Sequence, residues 1–271
     1  MNLKRIRNRC AQALCKLRDA VFADDANCLQ CGREIPQNAA SRLCDACAAT
    51  AVAIGDRACL KCGRHMTDEA DYCIPCQNHD RAFDFARSPY VYAGAPAKLV
   101  RSLKFGNRRY LAKYMARDMV DTVTQAGWTV DAVVPVPLSD AHRRKRGYNQ
   151  AELLARPIAR ALGAPLDTTH LIKTRDTAEQ ARLRGSERSA NVEGAYVATD
   201  ADAFRDKRVL LVDDVMTTGA TAHEIAKVLR KCGAKAILLI TYCSAKYRLR
   251  TDAGGQQIYY TEDVPNENEM V

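Results

Sequence analysis

The sequence contains no run of eighteen apolar residues, which excludes a transmembrane helix of ordinary length. Residues 1–22 begin with basic residues but lack the uninterrupted apolar stretch of a signal peptide. We therefore expect a cytoplasmic protein. In a reducing compartment its twelve cysteines indicate metal sites rather than disulfides. The 271 residues are enough for one α/β domain and a small additional module.

Eight of the twelve cysteines form four Cys-x-x-Cys pairs, with twelve residues between the first two pairs and ten between the last two. Each pair directs two sulfurs at one centre, so that two pairs complete a tetrahedral Zn²⁺ site. The simplest arrangement is two zinc ribbons in tandem over residues 28–81. The spacing leaves open a cross-braced pairing and a single zinc site. The predicted ligands are Cys28, Cys31, Cys44, Cys47, Cys59, Cys62, Cys73 and Cys76.

We expect this zinc to stabilise the fold rather than to catalyse a reaction, because four thiolates leave no coordination position open. A module of about fifty residues with little apolar content needs metal to fold. Residues 28–81 hold six Lys/Arg against seven Asp/Glu, before any thiolate is counted. This acidic balance argues against a zinc finger that reads DNA.

A basic segment lies outside the cysteine module, in a chain of formal net charge +9. Residues 98–117 contain seven Lys/Arg and no acid, with Phe105, Tyr110 and Tyr114 among them. Cations next to aromatic faces are typical of single-stranded nucleic-acid sites. An amphipathic helix whose aromatic side chains pack inwards would give the same pattern, and both interpretations stay open. The candidate nucleic-acid ligands are Lys98, Arg101, Lys104, Arg108 and Arg109.

A sugar-phosphate site is predicted by residues 208–221, where an apolar run ends at two adjacent acids and a Thr/Gly turn opens a helix. Open α/β sheets bind ligands at the carboxyl ends of their strands. Amides and hydroxyls at a helix N-terminus bind phosphate, and two carboxylates can hold ribose hydroxyls and hydrated Mg²⁺. Asp213 and Asp214 are also the candidate catalytic residues. The predicted binding residues are Asp213, Asp214, Val215, Thr217, Thr218, Gly219, Ala220 and Thr221.

A second anion site is indicated after residues 131–137, an apolar strand that breaks into a proline-stiffened loop. Four consecutive cations follow at 143–146, and arginine binds phosphate oxygens through two parallel N–H groups. Beside a sugar-phosphate site this run favours pyrophosphate, whereas on its own a solvated basic turn would explain it better. The candidate pyrophosphate ligands are Pro137, Arg143, Arg146 and Gly147.

The segment 174–184 is polar and rich in cations, and it lies between two predicted strands. It has the character of a mobile lid, which would exclude water during group transfer. An ordinary exposed hairpin is the alternative, and hydrophobic periodicity does not decide between the two. The candidate lid residues are Lys173, Arg175 and Gln180.

The order of these motifs resembles the ComF/GntX family, in which a double zinc ribbon is fused to a type I phosphoribosyltransferase-like domain. The likeness runs from about Cys28 to Ser244. Residues 208–221 resemble the 5-phosphoribosyl-1-pyrophosphate signature of type I phosphoribosyltransferases, with one departure at Ala220, where many members of that class have a second glycine. The motifs that carry the resemblance are the paired cysteines, Leu103-Lys104-Phe105, Pro135-Val136-Pro137-Leu138, Arg146-Gly147-Tyr148-Asn149-Gln150, Thr174-Arg175 through Gln180, Arg188 with Asn191, and Val212 to Thr221.

The resemblance implies an α/β fold with a parallel sheet flanked by helices, and a site for Mg²⁺ with 5-phosphoribosyl-1-pyrophosphate (PRPP). It also implies a link to DNA uptake and natural competence. We expect a basic N-terminal helix (1–27), a double zinc ribbon (28–81), a phosphoribosyltransferase-like domain (82–245) and a partly disordered tail (246–271).

The favoured function is transfer of a phosphoribosyl group to a nitrogen nucleophile that the sequence does not identify, since no segment predicts a purine or pyrimidine pocket. The alternative is a non-catalytic protein that binds single-stranded DNA or senses PRPP. A third hypothesis is a scaffold that docks proteins of the DNA-uptake machinery through its zinc ribbons.

Overall fold

The computed structural model describes residues 27–36, 42–67, 69–175, 192–251 and 257–261, and the side chains of these ranges up to residue 246. The chain divides into two compact units between Thr50 and Ala51. This boundary falls inside the predicted 28–81 module, because the second pair of Cys-x-x-Cys motifs belongs to the core of the second unit. The helix predicted over 1–27 and the last ten residues of the tail lie outside the described residues, apart from Asn27.

The first unit holds one cysteine cluster on two short turns. Asn27 and Glu34 form an antiparallel bridge across the first turn, and Gly32 there has a φ of 74°. Glycine adopts this left-handed conformation without steric cost, as a metal-binding knuckle requires. The second turn leads into helix α1 (Asp45–Ala48), with Cys44 as its N-cap residue.

The second unit is built on a parallel sheet with the strand order β1–β7–β6–β3, in which β2 continues the pairing of β1 with β7. Its strands are β1 (Phe85–Arg87), β2 (Tyr90–Val91), β3 (Ala132–Pro135), β6 (Arg208–Met216) and β7 (Ala236–Ser244). In the register of the sheet, Val212 lies opposite both Pro135 and Ile240. The carboxyl ends of β3, β6 and β7 therefore meet at one edge.

The four longer helices of this unit cover the sheet because each has a buried apolar stripe. The helices of this unit are α2 (Ile74–Asn78), α3 (Gly94–Phe105), α4 (Leu111–Gln125), α5 (Asp140–Arg146), α6 (Gln150–Leu162) and α7 (Ala220–Lys231). Helices α4 and α6 pack on each other and on the sheet, while α7 packs on β7. In α6, Leu154 and Ile158 are four residues apart and fully buried. The predicted fold class, a parallel sheet with flanking helices, is confirmed.

Two antiparallel pairs lie apart from the main sheet. Strand β4 (Leu171–Lys173) pairs with β5 (Tyr196–Ala198). Strand β8 (Tyr247–Thr251) pairs with β9 (Gln257–Thr261), so part of the tail that we expected to be partly disordered is a hairpin. Among the residues that the structure describes, no helix combines the length and the apolar character needed to cross a membrane.

Candidate functional site

Strand β6 carries two adjacent acids near its carboxyl end, and these acids point to opposite faces of the sheet, as successive strand residues do. Asp213 is half-buried, and Asp214 is only 2% exposed. The Nζ atom of Lys104, near the end of α3, lies 2.9 Å from Oδ2 of Asp214. Burial alone would lower the pKa of Lys104, but the carboxylate of Asp214 outweighs burial and raises this pKa. An ion pair therefore joins α3 to the acidic end of β6.

The surroundings of Asp213 disfavour its ionised form. Burial and then the charge of Asp214 raise the pKa of Asp213 from 3.8 to about 8, although Lys104 acts in the opposite direction. Its Oδ1 atom accepts a hydrogen bond from the backbone N–H of Asp214 at 2.8 Å. A bound cation would stabilise the ionised form of such a carboxyl group and would lower its pKa. The pair therefore fits a divalent cation such as Mg²⁺, with carboxylate oxygens as ligands.

The turn after β6 opens the twelve-residue helix α7. Gly219 is the N-cap residue and has a φ of 79°, a conformation that favours glycine. The positive end of the helix dipole at this turn favours an anion. Oγ1 of Thr218 accepts a hydrogen bond from the N–H of Ala220 at 3.3 Å. Ala220 is the first residue of α7 and has no positive φ, so the helix accommodates its methyl group without backbone strain.

Tyr196 on β5 completes the Asp213 side of the site and was not identified from the sequence. Burial and the charge of Asp213 raise the pKa of Tyr196, while a hydrogen bond with Thr221 opposes the shift. The tyrosine therefore lies between the acid and the start of α7. The sequence offered only an isolated aromatic residue in a short apolar stretch, which is too weak a signal to assign it.

The loop from β3 to α6 separates its candidate pyrophosphate ligands. Pro137 is the second residue after the end of β3, and Gly147 ends α5 with a φ of 78°. Arg146 is close enough to the acid pair for its charge to lower the pKa of Lys104. Arg143 instead faces α6, where its Nη2 atom lies 3.6 Å from Glu152. Arg146 is thereby placed near Lys104, the ion-pair partner of Asp214, whereas Arg143 is paired with Glu152.

Tyr148 and Asn149, which follow Gly147, hold this loop in place. The side-chain amide of Asn149 donates to the Val136 carbonyl at 3.0 Å, and its oxygen accepts from the N–H of Ala151 at 3.0 Å. The Tyr148 hydroxyl donates to the Leu103 carbonyl in α3. The sequence marked both residues as part of a family motif without a role, and the structure shows that they connect the loop to β3 and α3.

The basic segment forms part of α3 and the turn after it. Lys98 is exposed, whereas Lys104 is committed to Asp214. The Arg108 guanidinium lies 5.3 Å from the ring centroid of Tyr110. Phe105 is 42% exposed and Tyr110 is 48% exposed, so neither ring is packed fully inwards. The remaining candidates of this group are Arg101, which is half-buried, and Arg109, which is exposed and lies 4.5 Å from the ring centroid of Tyr148.

The candidate lid begins at the end of β4. Lys173 closes this strand with its Nζ atom 5.7 Å from the ring centroid of Tyr196. Arg175 donates a hydrogen bond to the Glu193 carbonyl. Gln180 lies outside the described residues. The antiparallel pairing of β4 with β5 is the base of the segment, and both interpretations of it, as a lid and as a hairpin, stay predictions.

Each cysteine cluster combines two consecutive Cys-x-x-Cys pairs. Cys28, Cys31, Cys44 and Cys47 form one cluster, and Cys59, Cys62, Cys73 and Cys76 form the other. The four sulfurs of each cluster lie within 4.8 Å of one another. The tandem arrangement is therefore confirmed, with two sites rather than one, and the cross-braced pairing is wrong.

The sulfur atoms of the second cluster interact strongly before any metal is considered. Hydrogen bonds from Cys62, Cys73 and Cys76 hold the pKa of Cys59 far below its ordinary range. Four converging thiols match the four-sulfur set that structural Zn²⁺ prefers. Since four sulfurs fill the tetrahedron, zinc here supplies stability to the fold.

Comparisons with known proteins agree with this geometry. Residues 17–77 match the double zinc ribbon domain, and residues 148–258 match the phosphoribosyl transferase domain. Competence protein F of Haemophilus influenzae is 33% identical over 174 residues, which cover 62% of this chain and 76% of that protein. The chain belongs to the ComF/GntX family. The family predicted from the sequence is confirmed.

Other members of the ComF/GntX family show how far the likeness extends. The DNA utilization protein YhgH of Escherichia coli K12 is 33% identical over 157 residues, or 56% of this chain and 68% of that protein. Competence protein ComFC of Streptococcus pneumoniae is 26% identical over 221 residues, or 77% of this chain and 95% of that protein. Among solved structures, the glutamine PRPP amidotransferase of B. subtilis matches with 22% identity and a TM-score of 0.36, over 52% of this chain and 30% of that one.

Proposed function

We propose that this protein binds Mg²⁺–PRPP and transfers its phosphoribosyl group to a nitrogen nucleophile. The observation that carries the proposal is the adjacent acid pair on β6, followed directly by the Gly219-capped start of α7. The 5′-phosphate is assigned to residues 217–221 and the ribose hydroxyls to Asp213 and Asp214. The pyrophosphate is assigned to the loop at 137–147, where the charge of Arg146 is close enough to Lys104 to lower its pKa.

In the proposed transfer, the bond between ribose C1 and a pyrophosphate oxygen breaks, and the electron pair leaves with pyrophosphate. Positive charge then develops at C1, where the carboxylates of Asp213 and Asp214 stabilise it. Arg146 stabilises the negative charge of the leaving group. The nucleophilic nitrogen forms the new bond to C1 and afterwards loses its proton. Mg²⁺ bound with PRPP supplies further neutralisation of the pyrophosphate.

Lys104 has a supporting role in this proposal. Its ammonium group balances the buried charge of Asp214, which without a partner would be costly to bury. Lys104 can therefore stabilise the buried acid on β6 in the protein without bound Mg²⁺–PRPP. We place this activity in the cytoplasm, where Cys-x-x-Cys thiols stay reduced and available for zinc.

The proposal is tested by isothermal titration of PRPP into zinc-replete protein, with and without Mg²⁺. We expect micromolar, Mg²⁺-dependent binding by the wild type. Asp213→Asn combined with Asp214→Asn should weaken it at least about 100-fold, because two charge-assisted contacts are lost at about 1.5–3 kcal/mol each. Asp213→Asn alone leaves the Lys104–Asp214 ion pair intact and separates a binding effect from a folding effect.

The matched control is Asp202→Asn combined with Asp206→Asn, which removes two exposed acids just before the opposite end of β6. It should leave the affinity unchanged within about twofold, as surface substitutions usually do. Undiminished binding by the Asp213/Asp214 double variant would contradict the assignment. If the wild type binds PRPP, release of pyrophosphate in the presence of individual nucleobases identifies the acceptor.

A second candidate function is the binding of single-stranded DNA without catalysis, alone or as part of a DNA-uptake complex. The specific observation is that two exposed rings lie beside guanidinium groups, Phe105 at 5.2 Å from Arg146 and Tyr110 at 5.3 Å from Arg108. Exposed rings and cations suit stacked bases and phosphates. The names competence protein F and DNA utilization protein, given to the relatives, support this candidate and the link to DNA uptake.

This second candidate is tested by fluorescence anisotropy with a labelled oligothymidylate at increasing salt. Phosphate contacts release counterions, so the affinity should fall steeply, with a slope in log–log form of about −0.7 per contact. A flat salt dependence, or no binding at low salt, would contradict it. Competition by PRPP would show that the two ligands use overlapping cationic surfaces.

A further inference from the structure

Arg64 connects the second zinc ribbon to the phosphate turn. It follows the zinc ligand Cys62 by two residues and is only 3% exposed. Its Nη1 atom donates to the Ala245 carbonyl at 2.5 Å, and its Nη2 atom donates to the Thr217 carbonyl at 2.5 Å. Thr217 begins the turn assigned to the 5′-phosphate, and Ala245 directly follows β7. One guanidinium from the ribbon therefore contacts two loops at the site edge of the sheet.

The two loops are also joined to each other. The N–H of Ala245 donates to the Met216 carbonyl at 2.9 Å. The carbonyls of Met216 and Thr217, at the start of the phosphate turn, therefore both have a fixed donor. Arg64 supplies one of these bonds directly and supports the other through the Ala245 carbonyl.

The ribbon holds the backbone of Arg64 through its zinc knuckle. The N–H of Cys59 donates to the Arg64 carbonyl at 2.8 Å, and the N–H of Gly63 donates to the Cys59 carbonyl at 2.8 Å. Both Cys59 and Cys62 belong to the second cluster. The geometry of the metal site therefore determines where the Arg64 side chain starts.

The knuckle in turn rests on strand β1. The N–H of Ala86 donates to the Lys61 carbonyl at 2.8 Å. Gly63 lies so close to this strand that a methyl group on it would be 2.2 Å from the Ala86 carbonyl oxygen. The knuckle therefore packs directly against β1, with no space for a side chain at position 63, and Arg64 extends from this contact to the phosphate turn.

We propose that Arg64 is a positioning residue, through which the zinc-bound second ribbon holds the phosphate turn in its binding conformation before PRPP arrives. This inference rests on the proposed function, since the ligand of the turn is the proposed PRPP. A turn that is ordered in advance binds more tightly because less entropy is lost on binding. Charge-assisted bonds to backbone carbonyls are among the stronger hydrogen bonds, and their removal leaves buried acceptors unpaired.

The first test is hydrogen–deuterium exchange of the unliganded protein, read on peptides that cover residues 216–222. Arg64→Met keeps the aliphatic stem and removes both donors, so we expect exchange in these peptides to accelerate about tenfold or more, as the loss of a bond to a charged group implies. Arg64→Lys keeps the charge but lacks the planar fork, and should have an intermediate effect. It also serves as the second variant where the methionine variant does not fold.

The matched control is Arg57→Met, which removes an exposed arginine from the same ribbon and should leave the exchange rates unchanged. Unchanged exchange at 216–222 in both Arg64 variants would overturn the proposal. Equal acceleration throughout residues 82–246 would also overturn it, because Arg64 would then only stabilise the fold.

The second test is titration of Mg²⁺–PRPP into the same proteins, with their zinc content measured. Arg64→Met should weaken binding about tenfold or more while the zinc content stays at that of the wild type, and Arg57→Met should match the wild type. Full affinity in Arg64→Met would overturn the positioning role. If the wild type itself does not bind PRPP, the proposed function fails, and the exchange experiment still decides whether Arg64 holds the turn.

Discussion

The two cysteine clusters have the same four thiols but different surroundings. In the first cluster Cys28 is buried while Cys31 is exposed to solvent. In the second, Cys59 and Cys62 are 0% and 4% exposed and belong to the same apolar core as Met216 of β6. Both clusters can bind zinc, yet only the second shares its core with the strand that carries the acid pair. The spacing of the cysteines determines that each cluster can bind a metal. The residues packed around the cysteines determine whether that metal also stabilises the core of the second unit.

Removal of one ligand from each cluster should give the largest difference in stability between the two clusters. Cys73→Ser should lower the free energy of unfolding of the second unit by more than about 4 kcal/mol, because zinc-binding energy is folding energy and this cluster is part of the core. Cys44→Ser should change that transition by less than about 0.5 kcal/mol, as expected for an independent site. Denaturant unfolding, followed by the fluorescence of Trp128 in the second unit, measures both.

Each of these variants should also lose one zinc ion per chain, since each breaks one cluster. Equal destabilisation of the Trp128 transition by the two variants would break the comparison. It would mean that the first cluster supports the second unit as much as the second cluster does.

A smaller effect is expected from the glycines that follow the second cysteine of each ribbon. Gly32 and Gly63 both have a positive φ, of 74° and 63°, so alanine at either position costs about 1–2 kcal/mol in backbone strain. An added methyl group at Gly32 meets no atom within 4 Å, whereas at Gly63 it would lie 2.7 Å from Arg87 Cα. Gly63→Ala should therefore lower the free energy of unfolding by about 1–3 kcal/mol more than Gly32→Ala does, because overpacking against the backbone forces the backbone to shift.

Thermal unfolding of the two alanine variants measures this difference. If Gly32→Ala and Gly63→Ala destabilise the protein equally, the second knuckle can move away from β1 to make room for a methyl group, and the contact between them is not tight. The support that we propose for Arg64 would then be lost as well.

Local patterns in the sequence were sufficient for much of this structure. The cysteine spacing predicted all eight ligands and favoured the tandem pairing, because a Cys-x-x-Cys turn directs both of its sulfurs to one centre, but it left the cross-braced pairing open. The apolar run before Asp213 and Asp214 predicted a buried parallel strand with its acids at the ligand-binding edge. Gly219 marked the turn, since its left-handed conformation excludes most other residues.

Contacts between distant segments could not be predicted in this way. Arg64 and Thr217 are 153 residues apart in the chain, and nothing in the periodicity of either segment selects the other as a partner. Lys104 was grouped with six neighbouring cations, and only the packing of α3 beside β6 directs it to Asp214. The core that the second ribbon shares with β6 was not predicted for the same reason, because the sharing of a core is a property of tertiary structure.

We expect the candidate PRPP site to depend on the second ribbon but not on the first zinc site. Titration of Mg²⁺–PRPP into the wild type and into Cys44→Ser tests this expectation, with the Trp128 unfolding transition as a check of the fold. We predict the same dissociation constant for both proteins, with one zinc ion fewer in the variant. Loss of binding in a Cys44→Ser protein whose second unit unfolds normally would contradict this prediction.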